Sequence, residues 1–416
     1  MKARLIYAAI LLLASPYLLL HLAVRGWRQR AYWQHLGERF GRYRQPAVNP
    51  VIWLHAVSVG ETRAAAPLIQ ALQAHYPDYR ILLTHTTPTG RAASKQLFGE
   101  SVWSVYLPYD YQFAVKRFVR HFKPALGMLM ETEIWPNLIL TCCRERVPLM
   151  LVNARMSLRS ARRYRWLAAV TEQSLSSLSA IAAQTDADAE RLRQLGGRRI
   201  SVMGNLKFDS APPPAQVQLG EQWRAAFGGR PVWLAASTRA GEEVLVLDAW
   251  RKMQPGNALL IIVPRHPQRF AEVAKLLELA AIPYQRRSSG AAVASATQVW
   301  LGDSMGELFA YYRAAQLALV GGSLLPLGGQ NLIEAAAVGC PVILGPHMWN
   351  FTEVSRAAVA SGAAIQIAAA EELAGVVSGL LGDPARRTAM SAAALEFSRA
   401  HRGATDRVMA LVASFL

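Results

Sequence analysis

The stretch Val51-Ile52-Trp53-Leu54-His55-Ala56-Val57-Ser58-Val59-Gly60-Glu61 decides the fold. Its first four residues form an apolar run without polar alternation, the pattern of a strand buried on both faces. Gly60 permits a tight turn, and a helix is expected from about Glu61. Further downstream the same unit recurs. Ile81 to Leu83 is followed by the Pro88-Thr89-Gly90 turn and a helix; Leu126 to Met130, Leu149 to Val152, Ile181 to Ala183 and Ile200 to Met203 continue the series. Strands alternating with helices imply a parallel α/β sheet.

The series breaks at Ala211-Pro212-Pro213-Pro214-Ala215, where three prolines favour an extended linker. It restarts at Val232 to Ala235 and continues through Ala258 to Val263, Val299 to Leu301, Leu317 to Val320 and Val342 to Leu344. Helices are expected over Glu242 to Met253, Phe270 to Ala280, Gly306 to Ala315 and Leu332 to Val338. The expected organisation is α/β with two Rossmann-like, doubly wound domains, 27–210 and 231–416, joined by a linker at 211–230 and preceded by a segment 1–26. Ligands of open α/β sheets bind outside the carboxyl ends of the strands, so a cleft faced by both sheets is the expected site.

The segment Leu5 to Val24, LIYAAILLLASPYLLLHLAV, carries no charge. A helix of that length spans about 30 Å, the hydrocarbon thickness of a bilayer. Pro16 is expected to kink it. Lys2 and Arg4 precede it, and Arg25, Arg28 and Arg30 follow, then Arg39, Arg42 and Arg44. The basic trailing flank predicts that the rest of the chain stays on the cytoplasmic side. A helix lying in the interface is the alternative.

The whole chain of 416 residues carries +17, with 52% hydrophobic residues. That composition excludes a disordered chain and favours anionic partners: acidic lipid, phosphorylated substrates or nucleic acid. Cys142, Cys143 and Cys340 make neither a C-x-x-C pair nor zinc spacing, and the nine histidines form no metal motif. No metal is expected.

Five segments carry chemistry-bearing residues at strand ends. Glu61 is either an ordinary first-turn acid, favoured there by the helix dipole, or a general base aimed at the ligand. Glu131 and Glu133 lie in Met130-Glu131-Thr132-Glu133-Ile134-Trp135-Pro136-Asn137, just after a strand, with Pro136 suited to the first turn of a helix. Lys207, in Gly204-Asn205-Leu206-Lys207-Phe208-Asp209, is either a surface lysine or a cation for phosphate or carboxylate. Arg265 and His266 are held between Pro264 and Pro267, and the planar Arg fork matches phosphate. Gly321-Gly322-Ser323 ends a strand, and Gly328-Gly329-Gln330-Asn331-Leu332-Ile333-Glu334 opens a helix whose N-terminus suits an anion. Glu334, about one turn in, suits ribose hydroxyls better. Finally, Arg155, Arg159, Arg162, Arg163 and Arg165 with Tyr164 and Trp166 form either a solvated face or a patch against anionic lipid.

Taken in order, these segments resemble the 3-deoxy-D-manno-octulosonic acid (Kdo) transferases. The resemblance covers nearly the whole chain: the N-terminal apolar helix, Gly37-Glu38-Arg39-Phe40-Gly41 with Tyr43-Arg44, and HAVSVGE at 55–61. It continues through YLPYD at 106–110, METEIWPN at 130–137, NAR at 153–155, NLKFD at 205–209, PRHP at 264–267, GDSMGEL at 302–308 and GGQNLIEAA at 328–336. YLPYD has no role readable from its residues alone. The sequence departs from the family at Gln330, where relatives often have His. It also has Arg239-Ala240 where some have His and Glu.

The resemblance implies a GT-B fold and inverting transfer of Kdo from CMP-Kdo to the tetra-acylated lipid A precursor, an acylated, phosphorylated glucosamine disaccharide. It implies Glu61 as proton acceptor and Glu131 and Lys207 as transition-state stabilisers. CMP contacts are implied for Arg265, His266, Met305, Gly306, Glu307, Asn331, Leu332, Ile333 and Glu334. It implies no cofactor and no nucleic-acid partner. The implied location is the inner membrane, with a single N-terminal anchor and the catalytic domains on the cytoplasmic side. The competing readings are another membrane-associated GT-B nucleotide-sugar enzyme, or a basic, membrane-anchored nucleic-acid-binding protein.

Overall fold

A computed structural model describes residues 2–46, 50–254 and 256–416, without the side chains of residues 2–6 and 28. The flanking charges Lys2, Arg4 and Arg28, and the first two residues of the apolar run, Leu5 and Ile6, therefore have side chains outside the described residues. The chain forms two units, Met1–Ser210 with Arg402–Leu416, and Ala211–His401.

The first unit is built on a seven-stranded, all-parallel sheet: β1 (Val51–His55), β2 (Arg80–His85), β3 (Val102–Tyr106), β4 (Leu126–Met130), β5 (Leu149–Ala154), β6 (Ala180–Ala183) and β7 (Ile200–Val202). The order is β3-β2-β1-β4-β5-β6-β7, so the winding direction reverses between β1 and β4. β1 is buried along its length because alternate residues serve separate cores on the two faces. Val51 and Trp53 pack on one side, Ile52 and Leu54 on the other. Gly127 of β4 is required by this packing: a Cβ there would sit 2.7 Å from both Leu149 and the Trp53 ring.

The second unit repeats the plan with β8 (Val232–Thr238), β9 (Leu259–Pro264), β10 (Tyr284–Arg286), β11 (Val299–Leu301), β12 (Leu317–Val320), β13 (Val342–Leu344) and β14 (Ala364–Gln366). All its pairs are parallel, in the order β10-β11-β9-β8-β12-β13-β14, with the reversal between β8 and β12.

Three strands escaped the sequence reading. β3 is interrupted by half-buried Trp103 and Ser104. β10 and β14 are three-residue edge strands of mixed polarity, too short to show a period. Residues 211–230, expected as an extended linker, are extended only through Pro213. Pro214, tolerated at a first helical turn, opens a helix Pro214–Ala226 that packs on the helix Leu308–Ala314. The last residues differ as well. The helix Ala404–Val412, placed by the sequence reading in the second domain, buries Ala404, Val408 and Val412 in a core of the first unit. Asp209 fixes its start by accepting from the Gly403 and Thr405 amides at 2.7 and 2.5 Å.

The N-terminal helix runs unbroken over Lys2–Arg28 through Pro16. Its stretch Tyr7–Trp27 is long and apolar enough to cross a membrane, by length and composition. One side of it is tied to the first unit. Tyr7 Oη donates to Asp110 Oδ2 at 2.8 Å, Ser15 Oγ lies 2.6 Å from Tyr111 Oη, and Leu22 is buried. Leu13, Tyr17, Leu20 and Trp27 remain exposed.

Candidate active site

In a doubly wound sheet the site lies at the carboxyl ends of the strands that flank the reversal. In the first unit these are β1 and β4, the strands that lead to Glu61 and to Glu131-Thr132-Glu133. Glu61 sits in the first turn of the helix Val59–Ala64, whose N-cap is Ser58. Its carboxylate is held by the helix start itself: Val57 N–H donates to Oε2 at 2.8 Å and Ser58 Oγ to Oε1 at 3.0 Å. The Glu61 amide in turn donates to Ser58 Oγ at 3.4 Å, so the arrangement resembles a capping box in which the carboxylate takes the amide one residue before the N-cap. The capping and functional readings of Glu61 are therefore compatible, because the cap orients the carboxylate. Burial, with the charges of Glu131 and Glu133 adding, pushes its pKa up to about 7 against the Val57 hydrogen bond.

Glu131 follows β4 in the left-handed region, φ 57°. Its amide bonds to Val152 O, which extends the pairing with β5 past the strand end. The turn directs the Glu131 carboxylate to Lys207, with Nζ 3.0 Å from Oε1. Lys207 is placed by a polar network. Asn205 Oδ1 caps the Lys207 amide, and buried Asn153 accepts from the Leu206 amide. Gln184 links the two, accepting from Asn205 and donating to Asn153 O. Glu133 accepts from Trp135 Nε1 at 2.7 Å and stands 3.8 Å from Nε2 of fully buried His55. Sequence reading singled out the segments holding His55 and Glu133 but gave neither residue a role. It quoted Asn153 within NAR without a role and missed Gln184, whose signal is only the polarity of a residue just past a strand end.

The structure also explains YLPYD. Asp110 accepts from the Asn137 and Leu138 amides at 2.9 and 2.8 Å, satisfying the start of the helix Pro136–Arg144 that follows the Glu131 loop. Burial raises the Asp110 pKa to about 7, against those bonds and the one from Tyr7. Tyr106 receives the Arg39 guanidinium 4.2 Å above its ring, and buried Glu38 accepts from the Tyr106 amide and from Arg91. Gly37-Glu38-Arg39-Phe40-Gly41 is thus docked on YLPYD.

In the second unit the reversal lies between β8 and β12. The Gly321-Gly322 turn after β12 is pressed against the end of β8: a Cβ on Gly321 would lie 2.5 Å from Ser237 O. Buried Glu242 organises this loop, accepting from the Arg239, Gly322 and Leu324 amides. Its neighbour Glu243, equally buried, holds Arg269 and Thr238. Arg265 and His266 follow β9 and are exposed, and Arg265 Nε reaches Gln330 at 3.3 Å. The His266 pKa is lowered by burial and by Arg239, Arg265 and Arg269. Arg239, Arg265 and Arg269 thus surround His266 near the ends of β8 and β9, with Arg269 paired to Glu243 and Glu272.

The remaining residues divide. Met305 and Gly306 are exposed, and Glu307 is engaged by Arg287 and Ser304. The helix after the glycines is short, Ile333–Ala337, and Glu334 lies in its first turn rather than one turn in, bonded to Asn331. The intervening Gly328–Leu332 segment is spent on loop bonds such as Gly329 N–H to Gly322 O. Leu332 and Ile333 bury their side chains. Among the described residues no group of three His, Cys, Asp or Glu side chains is arranged to hold a metal.

Two parallel, doubly wound α/β units, each with its polar residues gathered at the strand ends, define the GT-B class of fold. Solved structures agree. A glycosyltransferase from Rickettsia africae superposes with a TM-score of 0.61 over 90% of this chain and 99% of that one, at 12% identity. The UDP-GlcNAc 2-epimerase from Neisseria meningitidis gives 0.60 over 88% and 100%, at 14% identity. At such identities the likeness is one of fold alone. The particular family follows from sequence. Residues 34–210 match the family model described as 3-deoxy-D-manno-octulosonic-acid transferase (kdotransferase). The chain is 43% identical to the 3-deoxy-D-manno-octulosonic acid transferase of Bordetella pertussis over 97% of each chain, and 38% identical to that of Haemophilus influenzae over 99% of each. The chain belongs to the 3-deoxy-D-manno-octulosonic acid transferase family.

Proposed function

We propose that the protein transfers Kdo from CMP-Kdo to the tetra-acylated lipid A precursor of lipopolysaccharide, with inversion at the anomeric carbon. The observation that carries this reading is the Glu61 carboxylate, fixed by its own helix cap at the end of β1 with a pKa raised to about 7. A general base works best when its pKa lies near the working pH. An acceptor hydroxyl attacks the anomeric carbon, its proton passes to Glu61, and the C–O bond to CMP breaks with its electron pair leaving on the phosphate. Lys207 and Glu131 form a fixed pair of opposite charges that stabilises charge developing on the sugar. Arg265 and His266 are assigned to the phosphate. Met305, Gly306, Glu307 and the segment Asn331, Leu332, Ile333, Glu334 are assigned to the rest of CMP. The reaction so written calls on no cofactor.

The acceptor is membrane-borne. We assign the Tyr7–Trp27 helix as the anchor at the cytoplasmic face of the inner membrane, and the net charge of +17 as attraction to anionic lipid and phosphorylated acceptor. The test is full-length protein with CMP-Kdo and the tetra-acylated precursor, products weighed by mass spectrometry. Mass increments of Kdo on the precursor support the reading; an unmodified precursor with CMP-Kdo intact opposes it.

A further inference from the structure

The first unit contains a cavity of about 330 Å³, within the range of small-ligand sites. Tyr7 of the N-terminal helix supplies one part of its wall. Glu133 and Trp135 of the loop after β4 supply another, and Tyr164, Leu167 and Val170 a third. The cavity therefore joins two features of the molecule. Glu133 stands two residues after Glu131 in the same loop and 3.8 Å from His55 Nε2 at the end of β1, which places this end beside the candidate site. Tyr7 belongs to the membrane-length helix, whose outer face exposes Leu12, Leu13, Tyr17 and Leu20.

We propose that this cavity binds one acyl chain of the acceptor lipid. The proposal rests on the acceptor reading given above. Three observations support it. Trp135, Leu167 and Val170 give the cavity an apolar wall against which methylene groups gain by leaving water. Tyr7 and Ser15 tie the lipid-facing helix to Asp110 and Tyr111, so the surface that meets lipid and the wall of the cavity are one continuous structure. The segment that supplies Tyr164 and Leu167 also exposes Arg159, Arg162, Arg163 and Arg165, with Leu158 and Trp166 exposed beside them. That surface complements a ligand with phosphates next to its acyl chains and favours it over a neutral lipid.

The test uses full-length protein in anionic lipid nanodiscs, CMP-Kdo, and two acceptors: the tetra-acylated precursor and its O-deacylated form. Val170→Trp fills the cavity. The preference of the protein for the acylated over the O-deacylated acceptor, measured as the ratio of kcat/KM values, is expected to fall about tenfold. An unchanged ratio in the active, folded variant overturns the cavity assignment and leaves the transferase reading standing. Wild-type protein that modifies neither acceptor overturns the transferase reading, and this proposal with it. Should Val170→Trp not fold, wild-type protein is irradiated with precursor carrying a diazirine at one acyl terminus. Cross-links to Tyr7, Trp135, Leu167 or Val170 are expected. Cross-links only elsewhere, or equal labelling of these residues by a diazirine phospholipid that the precursor does not displace, overturn the proposal.

Discussion

Lys207 Nζ lies 3.0 Å from Glu131 Oε1, joining the end of β4 to a short 3-10 helix 76 residues later. The partners are oriented from opposite directions: Glu131 by a left-handed turn, Lys207 by the Asn153–Gln184–Asn205 network. A pair fixed this way acts as a unit. Lys207→Met and Glu131→Gln are each expected to lower kcat about 10²–10³-fold, with the double variant close to the slower single one. Steady-state kinetics on the three variants checks this; losses that multiply independently would contradict it.

Glu61 must be ionised to take a proton, and its pKa is raised to about 7, chiefly by burial. In the free protein kcat/KM is expected to rise about tenfold per pH unit below 7 and to level off above it. A pH–rate profile between pH 5 and about 9 measures the inflection. Removing the negative charge of Glu131 by Glu131→Gln should move it downward, since that charge helps hold the proton on Glu61.

The same shift has a stability consequence of definite sign. A carboxyl whose folded pKa stands above its unfolded value binds its proton more tightly in the folded state. Its favourable contribution is complete below the unfolded value of 4.5 and is lost as pH rises through about 7. Glu61→Gln removes that dependence. The variant is expected to gain thermal stability relative to wild type as pH increases from about 5 to 8, with the gap closing in acid; melting curves across this range check it.

Arg265 and Glu242 should separate binding from architecture. Arg265→Ala removes an exposed cation and is expected to weaken CMP binding about 10–100-fold with little change in melting temperature. Glu242→Ala leaves the buried Gly322 and Leu324 amides without their acceptor and should lower both the melting temperature and CMP affinity. Calorimetry and thermal melts on the two proteins distinguish the effects.

The strands of both sheets were largely legible because strands covered on both faces must be continuous apolar runs, as 51–54 of β1, 232–236 of β8 and the whole of β12 are. Edge strands such as β10 and β14 face fewer neighbours and need no such run. The return of the helix Ala404–Val412 to the first unit was not legible, since its apolar face matches either core; what assigns it is the pair of amide bonds to Asp209. Glu61, Glu131 and Lys207 could be read as candidates from their places after strands. Their coupling could not, because it depends on a left-handed turn at Glu131 and on polar residues scattered from 153 to 205. Tyr7 and Asp110, 103 residues apart, carry no shared sequence signal.

The role of Glu61 is measured most directly by pairing calorimetric CMP affinity with single-turnover transfer in Glu61→Ala. CMP affinity is expected to stay within about twofold of wild type while the rate of Kdo transfer falls about 10²–10⁴-fold. Transfer at the wild-type rate would contradict the assignment of Glu61 as the base.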